Sequence, residues 1–310
     1  MVRLLSLALV PALVACRPAE GVPPVGPLPM EGFWAHWGDG RAEVNGYALT
    51  QPRYGEDRRG EAVLIFVTED FDASRAVKSD GGGPGTYPAL KLNEARDFQT
   101  GIYDYNAMTS VFVPLDGRLP AGVPAKVSFS MQEWCGHVWD QVVVGPDGGQ
   151  RVLHSYFEDE GEQQAALDLP DGAAFADALP IVVRGLVGGP IAPGPMTLAP
   201  RLLDLRLHHA PLRWQDASIR VEEEGEQVVP AGTFATRTVE VRVGADWTRF
   251  HVERAAPHRL VGWERSDGER AALTGSVRQA YWEQSREGSE ALRAELGLPQ
   301  RPWPAPQSAR

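Results

Sequence analysis

The sequence predicts a mainly β protein: an antiparallel meandering sheet, open or partly closed into a barrel, with one or two short helices. Short apolar or alternating runs recur along the 310 residues and are separated by turns rich in glycine, proline and aspartate. No fixed-period repeat is present, which disfavours propellers and solenoids. Beyond the first thirty residues, enough chain remains for one large β domain or two smaller ones.

The strand candidates follow from these runs. Residues 62–67 form an unbroken β-branched and aromatic segment, which is typical of a strand buried on both faces. Residues 125–131 alternate between apolar and polar side chains, as in a strand with one buried face. Residues 145–149 contain Pro-Asp-Gly and predict the turn of a hairpin. The full set is 41–50, 62–67, 111–113, 125–131, 137–144, 150–157, 203–207, 217–222, 234–243, 246–254, 259–265 and 270–282.

Helices are expected at few places. Residues 173–179 follow Asp171 as a cap and predict a short helix that Pro180 ends or kinks. Residues 203–207 alternate leucine with polar side chains and are therefore assigned to a strand, although their length is short. On a strand, the following His208 and His209 would lie on opposite faces.

The domain organisation follows from composition. We expect one β-rich domain over residues 31–285, or two lobes with a boundary near 190–200, and then a tail over 286–310 with a short helical stretch. The acidic run 222–226 predicts a solvated turn.

The N-terminus has the layout of an export signal. Arg3, an apolar run and small residues precede Cys16, so residues 1–15 are interpreted as a signal peptide. Leu13-Val14-Ala15-Cys16 is similar to a bacterial lipobox, in which the cysteine receives several fatty acyl chains and holds the protein stably on a membrane. The alternative is an ordinary signal peptide that contains a cysteine.

The anchor and its tether set the expected location. Residues 16–30 carry the lipidated cysteine and a tether rich in proline and glycine. Arg17 follows Cys16, and the enterobacterial sorting rule then favours the outer membrane, facing the periplasm or the cell surface. We therefore expect an exported, membrane-anchored lipoprotein.

Net charge and cysteine content narrow the range of binding partners that the sequence predicts. The formal net charge is -11, and such an acidic, mixed surface argues against nucleic acid. The expected partners are the membrane, reached through Cys16, and either an apolar small molecule or an envelope protein. No cofactor is expected. With Cys16 lipidated, Cys135 is the only remaining thiol.

Several blocks resemble a known family. They are Phe33-Trp34 with Trp37, residues 51–56, 60–70, 100–105, 108–110 and 132–137. Together they resemble an uncharacterised family of exported bacterial lipoproteins of the Bacteroidetes and myxobacterial type, sometimes loosely labelled septum formation inhibitors, over most of residues 31–285. Residues 229–234 are similar to a phrase in periplasmic lipoprotein-carrier-like β-domains. This second resemblance implies a curved sheet that holds an apolar ligand.

One stretch carries the candidate chemistry. If the strand from residue 125 continues unbroken, Glu133, Cys135 and His137 lie on one face, as a cysteine nucleophile, its histidine base and an orienting acid require. Same-face neighbours along a strand are roughly 6.6 Å apart, so a catalytic pair needs a bulge at Gly136 or partners from elsewhere in the chain.

Two other interpretations of this stretch remain open. Cys135 and His137 could bind a metal ion together with His154 from the opposite side of the hairpin. In the third interpretation Cys135 is a small buried hydrophobe, and Glu133 and His137 are hydrogen-bonded structural groups.

The function classes follow from these interpretations. A non-enzymatic binding or envelope-structural lipoprotein is expected, because standard catalytic motifs are missing from the sequence. The alternative is a Cys/His-dependent hydrolase or a metal-binding protein. A binding protein predicts a concave sheet with an apolar pocket and no convergent cluster of titratable groups, whereas an enzyme predicts that Glu133, Cys135 and His137 meet in a cleft with perturbed pKa values.

Overall fold

The computed structural model describes residues 32–300, and all element counts here refer to that part of the chain. The signal peptide, Cys16 and the tether predicted from the sequence lie outside these residues, and so does the first residue of the predicted β-rich domain. The helices are α1 (Phe33–Trp37), α2 (Leu179–Val182) and α3 (Leu202–His208). The strands are β1 (Ala42–Arg53), β2 (Glu56–Asp72), β3 (Val77–Lys78), β4 (Thr86–Thr100), β5 (Tyr103–Pro114), β6 (Lys126–Glu133), β7 (Gly136–Gly145), β8 (Gly148–Ser155), β9 (Glu162–Leu167), β10 (Ala173–Phe175), β11 (Gly194–Ala199), β12 (Gln215–Val229), β13 (Gly232–Val243), β14 (Asp246–Glu253), β15 (Leu260–Arg265) and β16 (Arg270–Gln279).

The strands of this part of the chain form one 16-stranded sheet. Their order is β10-β11-β12-β13-β14-β15-β16-β1-β2-β4-β5-β6-β7-β8-β9, with β3 paired to β2. Every pair is antiparallel except β10 with β11. Within the described residues, β9 and β10 are the two open ends of the path. The predicted mainly β, meandering architecture is confirmed.

The alternating patterns bury one face of the sheet. In β6, Val127, Phe129 and Met131 are buried, while the serines between them are partly exposed. Their partners in β7 continue the same face, since Phe129 pairs with Asp140 and Met131 with Val138. Side chains from strands throughout the sheet meet in one large core cluster, so the sheet curves around a common interior.

The central strand β2 is covered on both faces, as its sequence predicted. Leu64 and Phe66 belong to the large core, and Val63 and Ile65 pack on the opposite side against a second apolar cluster. Leu296 and Leu298 of the C-terminal region form part of that second cluster.

Two glycines leave the space that this C-terminal segment needs to pack against the sheet. Gly46 and Gly275 are directly paired in β1 and β16. A Cβ on Gly46 would lie 2.3 Å from the carbonyl oxygen of Leu296, and a Cβ on Gly275 would lie 2.2 Å from that of Glu295. Part of the region predicted as a tail, including a 3₁₀ helix at Ser289–Leu296, therefore packs on the sheet.

The assignment of residues 203–207 to a strand is wrong, because they form helix α3. Leu203, Leu205, Arg206 and Leu207 are all buried, since the helix lies inside the curved sheet and meets apolar neighbours on most sides. A short run of this kind has no periodicity that separates helix from strand. His208 and His209 are consequently the last helical residue and its left-handed cap.

The helix expected over residues 173–179 is also wrong in part. Ala173–Phe175 pairs with β11 as a strand, Ala176–Ala178 is a 3₁₀ turn, and α2 begins only at Leu179. Pro180 therefore lies in the first turn of a helix rather than at its end, where its missing N–H leaves no hydrogen bond unmade. Ala178, Leu179, Ile181, Val183 and Leu186 are buried, which places this segment in the core.

The C-terminal meander is confirmed, and one predicted turn before it is misplaced. The acidic residues 222–226 do not form a turn, because they lie inside β12 at an irregularity between Glu222 and Gly225. The chain turns instead after Val229 and returns as β13 from Gly232. The last strand ends at Gln279, and Tyr281–Glu283 forms a 3₁₀ turn.

Candidate functional site

The three side chains singled out in the sequence do not share one strand face. Trp134 and Cys135 form the turn between β6 and β7, where Glu133 pairs with Gly136 and Gln132 with His137. The condition for that alignment, an unbroken strand, is therefore not met, since the chain reverses one residue after Glu133, between the strands expected at 125–131 and 137–144. Residues two positions apart share a face only along a continuous strand, so the reversal between β6 and β7 removes the expected alignment of the three residues.

Glu133 is directed toward the interior. Its side chain is 4% exposed, and Oε1 lies 3.7 Å from Nη2 of Arg206 in α3. Its Oε2 accepts the backbone N–H of Cys135 at 2.9 Å. His137 is an exposed residue of β7. The carboxylate thus joins the hairpin turn to α3, away from the imidazole.

Cys135 is exposed at the tip of the turn, so the interpretation of a small buried hydrophobe is wrong. A hydrogen bond to Glu133, together with the charge of that carboxylate, raises the pKa of the thiol. A raised pKa disfavours the thiolate, which is the nucleophilic form.

The third metal candidate is also engaged elsewhere. His154 stacks on Trp139 with ring centroids 5.5 Å apart, and its Nδ1 contacts the carboxylate of Glu162. Among residues 32–300, no group of three or more His, Cys, Asp or Glu side chains is placed to hold a metal ion. The structure therefore does not bring Cys135, His137 and His154 together as a ligand set.

A cavity of about 660 Å³ lies elsewhere, on the concave side of the sheet beside α3. Its volume is within the range of small-molecule sites. Apolar side chains from five strands and the α2 segment form much of its wall: Leu64, Leu179, Leu198, Val241, Phe250 and Trp263. Its exposed lining residues, which mark the mouth, are His208, Ala210, Pro211, Arg213, Gln215, Asp246, Ser266 and Asp267.

A group of charged side chains meets one side of this cavity, and we call it the arginine–carboxylate cluster. Its members are Glu94, Arg96, Arg201, Asp204, Arg265 and Glu269; all except Glu269 line the cavity. Glu94 and Arg96 project from β4, Arg201 and Asp204 begin α3, and Arg265 and Glu269 flank the β15–β16 turn. Three separate parts of the fold therefore contribute two charges each.

Glu269 is the centre of the cluster. Arg201 donates to both of its oxygens, from Nη1 to Oε1 at 3.1 Å and from Nη2 to Oε2 at 2.7 Å. Nη1 of Arg96 lies 2.9 Å from Oε1, and the indole N–H of Trp263 donates to the same oxygen at 2.7 Å. A fully buried carboxylate is stabilised when its oxygens are satisfied in this way.

The remaining members complete the pairing. Arg201 also holds Asp204 from Nε at 3.1 Å and from Nη2 at 2.6 Å, and Nη1 of Arg265 lies 3.1 Å from the same carboxylate. Nε of Arg96 donates to Oε1 of Glu94 at 2.6 Å. Each carboxylate in the cluster therefore has an arginine partner.

The protonation states of the cluster follow from burial and charge. Burial raises the pKa of Glu269, but Arg201 and Arg96 outweigh it and hold that pKa well below its usual range. Burial also raises the pKa of Asp204, but the charges of Arg201 and Arg265 outweigh it, so this pKa is lowered. Both carboxylates are charged at neutral pH.

Asp177 behaves differently from these carboxylates. It is buried beside α3, where its Oδ2 accepts the backbone N–H of Leu202 at 3.2 Å. Burial raises its pKa to about 8, because this hydrogen bond and the charge of Arg201 only partly offset the loss of solvation. Asp177 is therefore mainly neutral at pH 7 and caps the beginning of α3.

Sequence reasoning missed this site for a structural reason. Glu94 and Arg96 lie two residues apart on the face of β4 that also carries Leu92 and Phe98, and charges on an apolar face were a usable signal. Asp204 gave none, because residues 203–207 were assigned to a strand, and Arg201 lay outside any assigned element.

Comparison of this chain with family models, curated proteins and solved structures finds no match. The fold and the cavity define the molecule as a β-sheet protein with an internal, partly charged cavity. Among residues 32–300, no helix has the length and apolar character needed to cross a bilayer.

Proposed function

We propose that this protein is an exported, membrane-anchored lipoprotein that binds a small amphiphilic molecule in the cavity beside α3, without catalysing a reaction on it. The cavity is the observation that carries the binding proposal. It combines about 660 Å³ of space with an extended apolar wall and a polar side. This is the combination that small-molecule sites have, where apolar surface supplies affinity and a few polar groups supply orientation.

The pairing within the cluster supports binding over catalysis. Arg201 and Arg96 are occupied by Glu269, Asp204 and Glu94, so these groups form a fixed polar wall. Glu133, Cys135 and His137 do not converge in a cleft, and the pKa of the Cys135 thiol is raised. The hydrolase and metal-binding alternatives therefore gain no support from the geometry of those residues.

A cavity-filling variant tests the binding proposal. Val243 lines the cavity in β13, so Val243→Trp would occupy part of its volume. Val228→Trp is the matched control, because Val228 is an exposed residue of β12 and does not line the cavity. Titration of the full chain with Nile red, an uncharged apolar dye, should give saturable fluorescence. Val243→Trp should weaken it by at least about tenfold, and Val228→Trp should leave it unchanged.

Two results would contradict the binding proposal. One is the absence of saturable dye binding to the unmodified chain. The other is equal dye affinity in both tryptophan variants when thermal unfolding shows that both are folded.

The lipobox-like residues 13–16 support the membrane anchor. Metabolic labelling with palmitate in a bacterial host tests it. Label should enter the unmodified chain, and the Cys16→Ser variant should lose both label and membrane fractionation. Equal labelling of the two chains would contradict the proposed anchor.

A further inference from the structure

We infer that the ligand of the cavity is an uncharged amphiphile: an apolar chain or ring system with a hydroxyl, ester or amide group, rather than a fatty acid, a phosphate ester or an amine. The inference rests on the proposed binding function and names the chemical class that the same cavity accepts. It depends on the charge balance of the arginine–carboxylate cluster.

The cluster has no net charge to offer a ligand. Three arginines, Arg96, Arg201 and Arg265, face three carboxylates, Glu94, Asp204 and Glu269. Asp177 adds none at neutral pH, because its pKa is raised by burial. A ligand charge placed beside this wall would be buried without a counter-ion, which is far more unfavourable than burying a hydrogen-bonded neutral group.

A ligand anion also cannot easily replace one of the protein carboxylates. Arg201 holds Glu269 and Asp204 through two contacts each, and the side chain of Glu269 is 0% exposed. Displacing either carboxylate from Arg201 would leave it in its largely buried position with one cation fewer, Glu269 with Arg96 and Asp204 with Arg265. The arginines are therefore not available as an anion site.

The apolar side of the cavity is held in place by the same cluster. Trp263 donates its indole N–H to Glu269, which fixes its ring beside the charges. Phe250, its direct partner across β14 and β15, Val241 and Leu198 continue this surface. An amphiphile can contact the polar wall with one end while the rest of it covers these residues.

The opposite orientation, with the polar group at the mouth, would not favour an anion. Asp246 and Asp267 lie there with Arg213 and His208, so the mouth has two carboxylates and one arginine. A carboxylate or phosphate at the mouth would face at least as much negative as positive charge. An amine there would gain little, because these mouth residues are exposed and water screens their charges.

A matched set of twelve-carbon probes tests the inference. The full chain at neutral pH is loaded with Nile red and titrated with 1-dodecanol, dodecanoate and dodecyltrimethylammonium, each below its micelle concentration. Dodecanol should displace the dye at a concentration at least about tenfold lower than either charged probe, because only it adds no buried charge.

A charge-neutralising variant sharpens the same test. Glu94→Gln leaves one uncompensated positive charge in the cluster, and the Glu94 side chain is 12% exposed at the cavity wall, so folding should survive. Its preference for dodecanol over dodecanoate should fall by at least about fivefold. Glu222→Gln removes the same charge from an exposed residue of β12 and should leave the preference unchanged.

The outcomes separate the two proposals. If Nile red does not bind, both the binding function and this inference fail. If Nile red binds and dodecanoate or the ammonium probe displaces it as well as dodecanol, the binding function stands and the inference is overturned. An unchanged preference in a folded Glu94→Gln variant would also overturn it.

Discussion

Two buried ionic groups occupy different parts of this fold, and one of them lines the cavity beside α3. Arg184 is 0% exposed, and its Nη2 donates to Glu43 of β1 at 3.0 Å. The same side chain donates from Nε to the carbonyl oxygen of His258 at 2.7 Å and lies over the ring of Phe66. The arginine–carboxylate cluster has the same chemistry, but five of its six members line open space.

The two groups differ in whether their paired charges are enclosed by the chain or lie at a cavity wall. Arg184 joins the interior segment after α2 to β1 and to the β14–β15 turn, and all these contacts are internal to the chain. In the cluster, paired charges form a wall that a ligand can contact. Perturbed ionisation in a cavity is a better indication of function than burial of charge alone.

The largest effect on stability is expected when the buried pair of Arg184 and Glu43 is broken. Arg184→Met leaves Glu43 buried without its cation, so the free energy of unfolding should fall by about 3–5 kcal/mol. Urea denaturation of the full chain measures this. Glu43→Leu combined with Arg184→Met should recover part of the loss. A loss of under about 1 kcal/mol in the single variant would show that the pair does not stabilise the fold.

A smaller effect on stability is expected when the arginine–carboxylate cluster loses one cation. Arg201→Met leaves Glu269 with Arg96 and Asp204 with Arg265, so the loss in unfolding free energy should be about 2–3 kcal/mol. The same urea experiment gives the comparison with Arg184→Met. A loss larger than that of Arg184→Met would contradict the view that the cluster is the less structural of the two groups.

The pH dependence of stability provides a third test. The pKa of Asp177 is raised in the folded state, to about 8, so the folded chain holds a proton that the unfolded chain releases. Its contribution is therefore fully present below the unfolded pKa and is lost as pH rises toward about 8. From about pH 6.5 to pH 8 the unfolding free energy should fall by about 2 kcal/mol relative to Asp177→Asn, which keeps an acceptor for Leu202. Parallel pH profiles of the two chains would refute this.

The smallest effect is expected at the turn between β6 and β7. Cys135 is exposed and its thiol pKa is raised, so Cys135→Ser should leave the free energy of unfolding and dye binding unchanged within the error of the measurement. Reaction with a chromogenic disulfide at neutral pH should be slower than that of a free cysteine peptide. A faster reaction would restore Cys135 as a candidate nucleophile.

Most of the strands could be predicted from local sequence patterns. Residues 62–67, 125–131 and the hairpin at 145–149 were assigned correctly, because alternation and turn residues act between near neighbours in the chain. It also supplied the export and lipidation prediction at Cys16, which remains a prediction.

Helix α3 and the cavity, by contrast, depend on contacts between distant parts of the chain. Leu203, Leu205 and Leu207 alternate as in a strand, but the curved sheet surrounds them, and a segment buried on most sides can be helical whatever its pattern. The cluster likewise joins residues as distant as Glu94, Arg201 and Glu269, whose proximity depends on the order of strands. A sequence pattern predicts the secondary structure that neighbouring residues form, whereas the site depends on contacts between residues more than a hundred positions apart, such as Arg96 and Glu269.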